Sequence, residues 1–188
     1  MSKSMNVQTA QPGVSTTNHD VVVVGAGPYG LATAAHMLEQ GLDVAVFGKP
    51  LKLWRENMPK GMLLRSYWWA TNISDPHKQY GFDRYFQETD QQAIDPLSAE
   101  TVIDYGLWFQ KHVVPNVDET YVKSIQRKEG LFEVTLVDGR VVLAPIVVMA
   151  PGLHYYLYRA PEYSQLPLEL VSHTSDHREF DQFAGQSV

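Results

Sequence analysis

At 188 residues, the chain is long enough for one domain with a proper core, or for part of a larger protein. A net charge of −6 argues against a nucleic-acid binder, which would carry a basic stripe. The absence of cysteine excludes disulfides, thiolate metal sites and a cysteine nucleophile, and fits a cytoplasmic protein.

Residues 1–19 are polar, contain Pro12-Gly13 and lack the apolar stretch of a signal peptide, so a disordered tail is expected there. No apolar run approaches the roughly 18 residues that span a bilayer, so no membrane segment is expected. Asp20–Val24 then reads as a buried parallel strand, because Val21 to Val24 form an unbroken β-branched run. Gly25, Gly27 and Gly30 follow at G-x-G-x-x-G spacing, and Pro28–Gln40 reads as a helix stopped by Gly41. Asp43–Phe47 closes the unit as a second strand. A dinucleotide pyrophosphate needs this order. Gly25 gives the tight turn, Gly27 lets backbone approach the phosphates, and Gly30 lets helix and strand pack closely. The helix N-terminus offers free N–H groups to the anion. A glycine-rich turn in some other α/β protein is the competing reading, and the flanking strands and helix argue against it.

A carboxylate for the adenosine ribose is expected at the end of the second strand. Gly48 stands there instead, followed by Lys49, which suits a 2′-phosphate and keeps an NADP reading open. Restoring Glu at position 48 is expected to tighten binding of the dinucleotide. Residues 51–76 hold Trp54, Trp68 and Trp69 with Met62 and Arg65 and show weak periodicity. They read as a packed aromatic subcore, as a wall against a flavin, or as both. Tyr80–Thr89 reads as a short helix and Gln91–Pro96 as a loop. Ser98–His112 reads as a helix begun by Ser98, with His112 expected to be packed on its aromatic stripe rather than to act as a base.

After Pro115 the pattern alternates. Tyr121–Arg127, Leu131–Val137 and Arg140–Leu143 are separated by Glu129-Gly130 and Asp138-Gly139, which predicts a three-stranded antiparallel meander. Ile146–Met149 reads as a buried strand returning beside the first, ending at the Ala150-Pro151-Gly152 turn. Beyond Leu153 no regular periodicity shows. His173 and His177 have zinc-like spacing but no supporting context, and no metal site is expected. The fold class is therefore α/β, a Rossmann-like domain with a parallel sheet and a meander.

These residues resemble the two-dinucleotide-domain flavoproteins, and within them the flavin-containing monooxygenases and the lysine/ornithine N-hydroxylases. The resemblance covers residues 20–188. Gly25, Gly27, Pro28 and Gly30 match the family's FAD motif. Ala150-Pro151-Gly152 matches its Ala-Thr-Gly turn with proline for threonine. Trp54, Gly61-Met62, Asp75-Pro76 and Ser172-His173 resemble further family positions. The resemblance implies FAD as cofactor, with NADPH reducing the flavin and O2 oxygenating a soft nucleophile. The implied cofactor-binding set is Gly25, Gly27, Pro28, Tyr29 and Gly30, then Phe47, Gly48 and Lys49, then Trp54, Met62 and Arg65, with Val122, Ala150 and Gly152. No catalytic side chain is expected, because the cofactor carries the chemistry. Two departures stand out. Gly48 replaces the family's Glu, and the second glycine motif, which binds NADPH in the family, is not found. NADPH is therefore expected only if a second domain or partner chain supplies its site, with self-association or a partner subunit in prospect. The alternatives are a non-catalytic nucleotide-binding fragment and an NAD(P)-dependent dehydrogenase domain.

Overall fold

The computed structural model describes residues 15–167 and 169–187. The element order is β1 (Thr16–Asn18), β2 (Val21–Val24), α1 (Pro28–Glu39), β3 (Val44–Phe47), α2 (Lys52–Asn57), α3 (Phe82–Thr89), α4 (Ala99–Val113), β4 (Val117–Asp118), β5 (Val122–Lys128), β6 (Leu131–Leu136), β7 (Val141–Ala144) and β8 (Ile146–Met149). Short 3-10 turns are the only regular elements after β8 among the described residues.

Two sheets form. The first is wholly parallel, in the order β4-β3-β2-β8, with Val21 opposite both Val44 and Ile146. The second runs β1-β7-β6-β5, antiparallel from β7 to β5. The unbroken valine run of β2 has a physical reason, because both faces of the strand are covered. Val21 and Val23 pack into a core with α1, α3 and α4, while Val22 packs into a second core with Val134, Leu136, Val142 and Ala144 of the meander. The same division repeats on β3, where Val46 joins the first core and Ala45 and Phe47 the second. The molecule is thus three layers, helices, parallel sheet and meander. Period-2 alternation decides which layer each side chain meets.

Local signals act as the sequence suggests. The Ser98 side chain accepts the Thr101 N–H at 3.1 Å and starts α4. Phe82, Tyr85, Tyr105 and Phe109 bury fully or nearly so between α3 and α4. The Tyr105 hydroxyl accepts the Ile73 N–H and donates to the Tyr80 carbonyl, which anchors the 73–80 loop.

The tail expectation needs correction for residues 15–19. Thr16–Asn18 is a strand, parallel to β7 with Thr16 opposite Val141. Its side chains are exposed and it is held by backbone pairing, so no apolar pattern marks it. The rest of the expected tail, residues 1–14, lies outside the described residues. The weakly periodic 51–76 segment contains α2 and a 3-10 turn, Trp68–Ala70. No helix among the described residues is long and apolar enough to cross a membrane.

Candidate functional site

The ends of β2, β3 and β8 meet at the glycine turn. Gly25 N–H donates to the Phe47 carbonyl at 2.8 Å, and Ala150 N–H donates to the Val24 carbonyl at 2.8 Å. Gly25 adopts φ +111°, and a Cβ there would lie 2.0 Å from the Ala150 carbonyl oxygen. A Cβ on Gly30 would lie 1.9 Å from the Gly25 carbonyl oxygen. These two glycines are required by the close approach of strand, helix and the Ala150-Pro151-Gly152 turn. Gly27 differs. It is the N-cap of α1 at φ −78°, and a Cβ there would meet nothing within 4 Å. No side chain caps α1, Pro28 occupies its first turn without an N–H, and no acid lies in that turn. The backbone N–H groups that begin α1 therefore face an open surface, with a partial positive charge. Tyr29 in that turn is 85% exposed.

At the end of β3, Gly48 is buried against this turn. Its N–H donates to the Asp118 carbonyl at 2.8 Å, its φ is +128°, and a Cβ would lie 3.4 Å from the Gly25 Cα. The contact is an ordinary one, so position 48 demands glycine for conformation rather than for space. The expectation that Glu at 48 would tighten FAD binding is corrected on that ground. Asp118 is itself fixed. Arg140 pairs with it at 2.7 Å, with Asp138 at 2.7 Å, and donates to Thr120 Oγ1 at 2.9 Å. The Arg140 guanidinium holds the Asp118 carboxyl down to about 2.

No family model and no curated protein sequence matches the chain. Solved structures do. A flavin-containing monooxygenase from Stenotrophomonas maltophilia aligns over 90% of this chain and 49% of its own, at 21% identity and TM-score 0.71. A bacillithiol disulfide reductase from Staphylococcus aureus aligns over 80% of this chain and 44% of its own, at 18% identity and TM-score 0.65. The NADP+-bound cyclohexanone monooxygenase from Rhodococcus sp. Phi1 aligns over 74% of this chain and 27% of its own, at 29% identity and TM-score 0.59. The fold is that of the two-dinucleotide-domain flavoproteins. The chain spans about half the length, or less, of the flavoproteins it matches.

Within this flavoprotein fold the other candidate residues scatter. Phe47 is buried, with its carbonyl on the Gly25 N–H, and Val122 is half-buried against the same second core, so both side chains serve packing. Lys49 and Arg65 are exposed. Trp54 is half-buried against the first core. Met62 lies in the loop bonded to the start of α4, its carbonyl accepting the Ala99 N–H at 2.9 Å. Gly152 turns at φ +72° in open space.

The aromatic segment divides between core and surface. Trp68 meets Phe86 edge-on at 5.9 Å and packs on the core, whereas Trp69 is 61% exposed and stacks on Tyr67 at 5.5 Å. Trp68 and Trp69 line a cleft of about 480 Å³ with Asp75 and Lys78. A second cleft, of about 320 Å³, opens between the two sheets beside His19, Asp118 and Arg140. Neither cleft touches the glycine turn.

Asp75 is buried and accepts the backbone N–H groups of His77, Gln79 and Tyr80, a structural use of the Asp75-Pro76 match. His112, expected in the packed stripe, is instead exposed and leans on Trp108 at 4.8 Å. It lies past the last buried turn of α4. His177 bonds Ser172 and His173 bonds Ser175, and no cluster of three or more metal-ligating side chains occurs among the described residues. Sequence reasoning missed Lys52, Tyr121 and Tyr155. Only the tertiary fold brings them together, with the Lys52 Nζ 5.4 Å from the Tyr121 ring centre and 5.9 Å from that of Tyr155.

Proposed function

We propose that this chain is the FAD-binding part of a cytoplasmic flavin-dependent oxidoreductase of monooxygenase type, dependent on NADPH and O2. The observation that carries the reading is the contrast among the three motif glycines. Gly25 and Gly30 are filled by backbone, while Gly27 opens on free space at the uncapped start of α1. That is the cradle a pyrophosphate requires. The residues present fit the group. Backbone at Gly27, Tyr29 and Gly30 would bind the phosphates, and the backbone around Gly48 and Lys49 would border the ribose. Ala150 to Gly152 would run along the cofactor. Trp54, Met62, Arg65 and Val122 remain candidate neighbours of the ring or adenosine.

FAD would supply the redox chemistry when bound. The chain's own residues bind and orient it. These 188 residues hold no cysteine, so any redox thiol would have to come from a further segment or a partner chain. The one glycine motif is assigned to FAD. A nicotinamide site would therefore come from a further segment or a partner chain.

The test is reconstitution of the purified chain with FAD, followed by its absorbance spectrum. A yellow protein with resolved flavin bands is expected. Uptake of NADP with no uptake of FAD would overturn the reading.

A further inference from the structure

Lys52 is a cation that the FAD reading has not used, one residue past a backbone bond to the glycine turn. Three segments converge on it, and each is tied to the glycine turn or its border. Leu51 N–H donates to the Ala26 carbonyl at 3.1 Å, which pins the start of α2 to the turn. Tyr121 follows Asp118, whose carbonyl holds Gly48. Tyr155 follows the Ala150-Pro151-Gly152 turn, which abuts Gly25. Leu51 itself adopts a left-handed φ of 52° and is buried against Gly106 of α4. A non-glycine residue in that conformation carries strain, which the packing must maintain, and its effect is to fix where Lys52 begins.

The Lys52 side chain is only 27% exposed, yet its sole carboxylate partner among the described residues is Glu56, at 3.8 Å and half exposed. The two tyrosine rings hold the ammonium without neutralising it. The Tyr121 hydroxyl is enclosed and lacks a hydrogen bond of good geometry, but lies close enough to hold the Lys52 ammonium above its ordinary pKa. A shielded, under-paired ammonium beside an anion cradle is suited to phosphate, which lysine recognises as a compact point charge.

We infer that Lys52, caged by Tyr121 and Tyr155, receives the adenosine-side phosphate of the dinucleotide, giving this chain a cation beside the strand end where Gly48 leaves no carboxylate. This assignment rests on the FAD reading. It makes the cage a determinant of phosphate recognition rather than of flavin chemistry.

The experiment uses the full chain and three variants, Lys52→Met, Lys52→Arg and Tyr155→Leu. FAD affinity is read by flavin fluorescence, and ADP and adenosine are read as competitors. Lys52→Met is expected to weaken FAD and ADP about tenfold while adenosine competition stays as in the wild type. Lys52→Arg keeps the charge and should stay within about threefold. Tyr155→Leu should fall between the two. Thermal unfolding of the cofactor-free variants should stay within about 2 °C of wild type, which separates binding from folding. Unchanged ADP affinity in Lys52→Met, or an equal loss for ADP and adenosine, overturns the assignment. A wild-type chain that takes up no FAD overturns the FAD reading itself, a separate outcome.

Discussion

Replacing Gly27 by valine separates the cofactor site from the fold. Gly27 sits at φ −78°, which any L residue adopts, and a Cβ there meets no atom within 4 Å. The fold should therefore bear the change. The loss is that of a poor N-cap, about 1 kcal/mol at most. For a chain of this size, that lowers the melting temperature by about 2–4 °C. The same operation at Gly25 places a methyl group 2.0 Å from the Ala150 carbonyl oxygen, at φ +111°. Backbone must move there, so Gly25→Ala should lose most of the native fold. FAD should respond to Gly27→Val far more than stability does. The isopropyl group would stand over the first N–H groups of α1, where a phosphate must approach. Each charge-assisted hydrogen bond forfeited costs about 1.5–3 kcal/mol. Loss of one predicts FAD affinity lower by about ten- to a hundredfold, and loss of two by about a hundredfold or more. The assays are thermal unfolding of the cofactor-free chain by circular dichroism and FAD titration by fluorescence. Unchanged FAD affinity would refute the placement of the phosphates. Unfolding of Gly27→Val to the extent of Gly25→Ala would refute the open-space argument.

Gly48→Glu should destabilise the chain by about 1–3 kcal/mol, because φ is +128°, a conformation strained for any L side chain; a urea midpoint equal to wild type would contradict this. The Asp118 carboxyl is depressed from 3.8 to about 2 by Arg140, so its stabilising contribution is complete above about pH 4 and is lost as pH falls through about 2. Arg140→Met should flatten stability against pH across that window, and an unaltered profile would show that the pair contributes nothing. The FAD-loaded chain alone should not be reduced by NADPH at a useful rate, because hydride transfer needs the nicotinamide held about 3–3.5 Å from the flavin. Rapid, saturable bleaching in anaerobic stopped flow would reveal a nicotinamide site within these residues.

The sequence by itself determined those features whose cause is local. Glycine spacing after a β-branched run, a serine one residue before an amphipathic helix, and Asp138-Gly139 between alternating strands each specify backbone geometry through nearby atoms. The return of Ile146–Met149 beside β2 was also readable from its apolar run, but the expected burial was not met, because β8 is the edge of the parallel sheet and leaves Ile146 and Met149 about half exposed. The features that only the tertiary structure decided depend on partners far along the chain. Thr16–Asn18 is a strand because β7 offers it backbone hydrogen bonds across more than a hundred residues, and its polar side chains carry no sign of that. Gly48 is held at φ +128° with its N–H on the carbonyl of Asp118, which is far along the chain, so it read as a missing carboxylate when it is a glycine required by conformation. Trp68 and Trp69 are adjacent and alike in the sequence, yet one faces the core and the other solvent. The Lys52 cage joins α2, the entry to the meander and the turn after β8. Local chemistry fixes the conformation of a segment, but the surroundings of a side chain are set by which distant segments pack upon it.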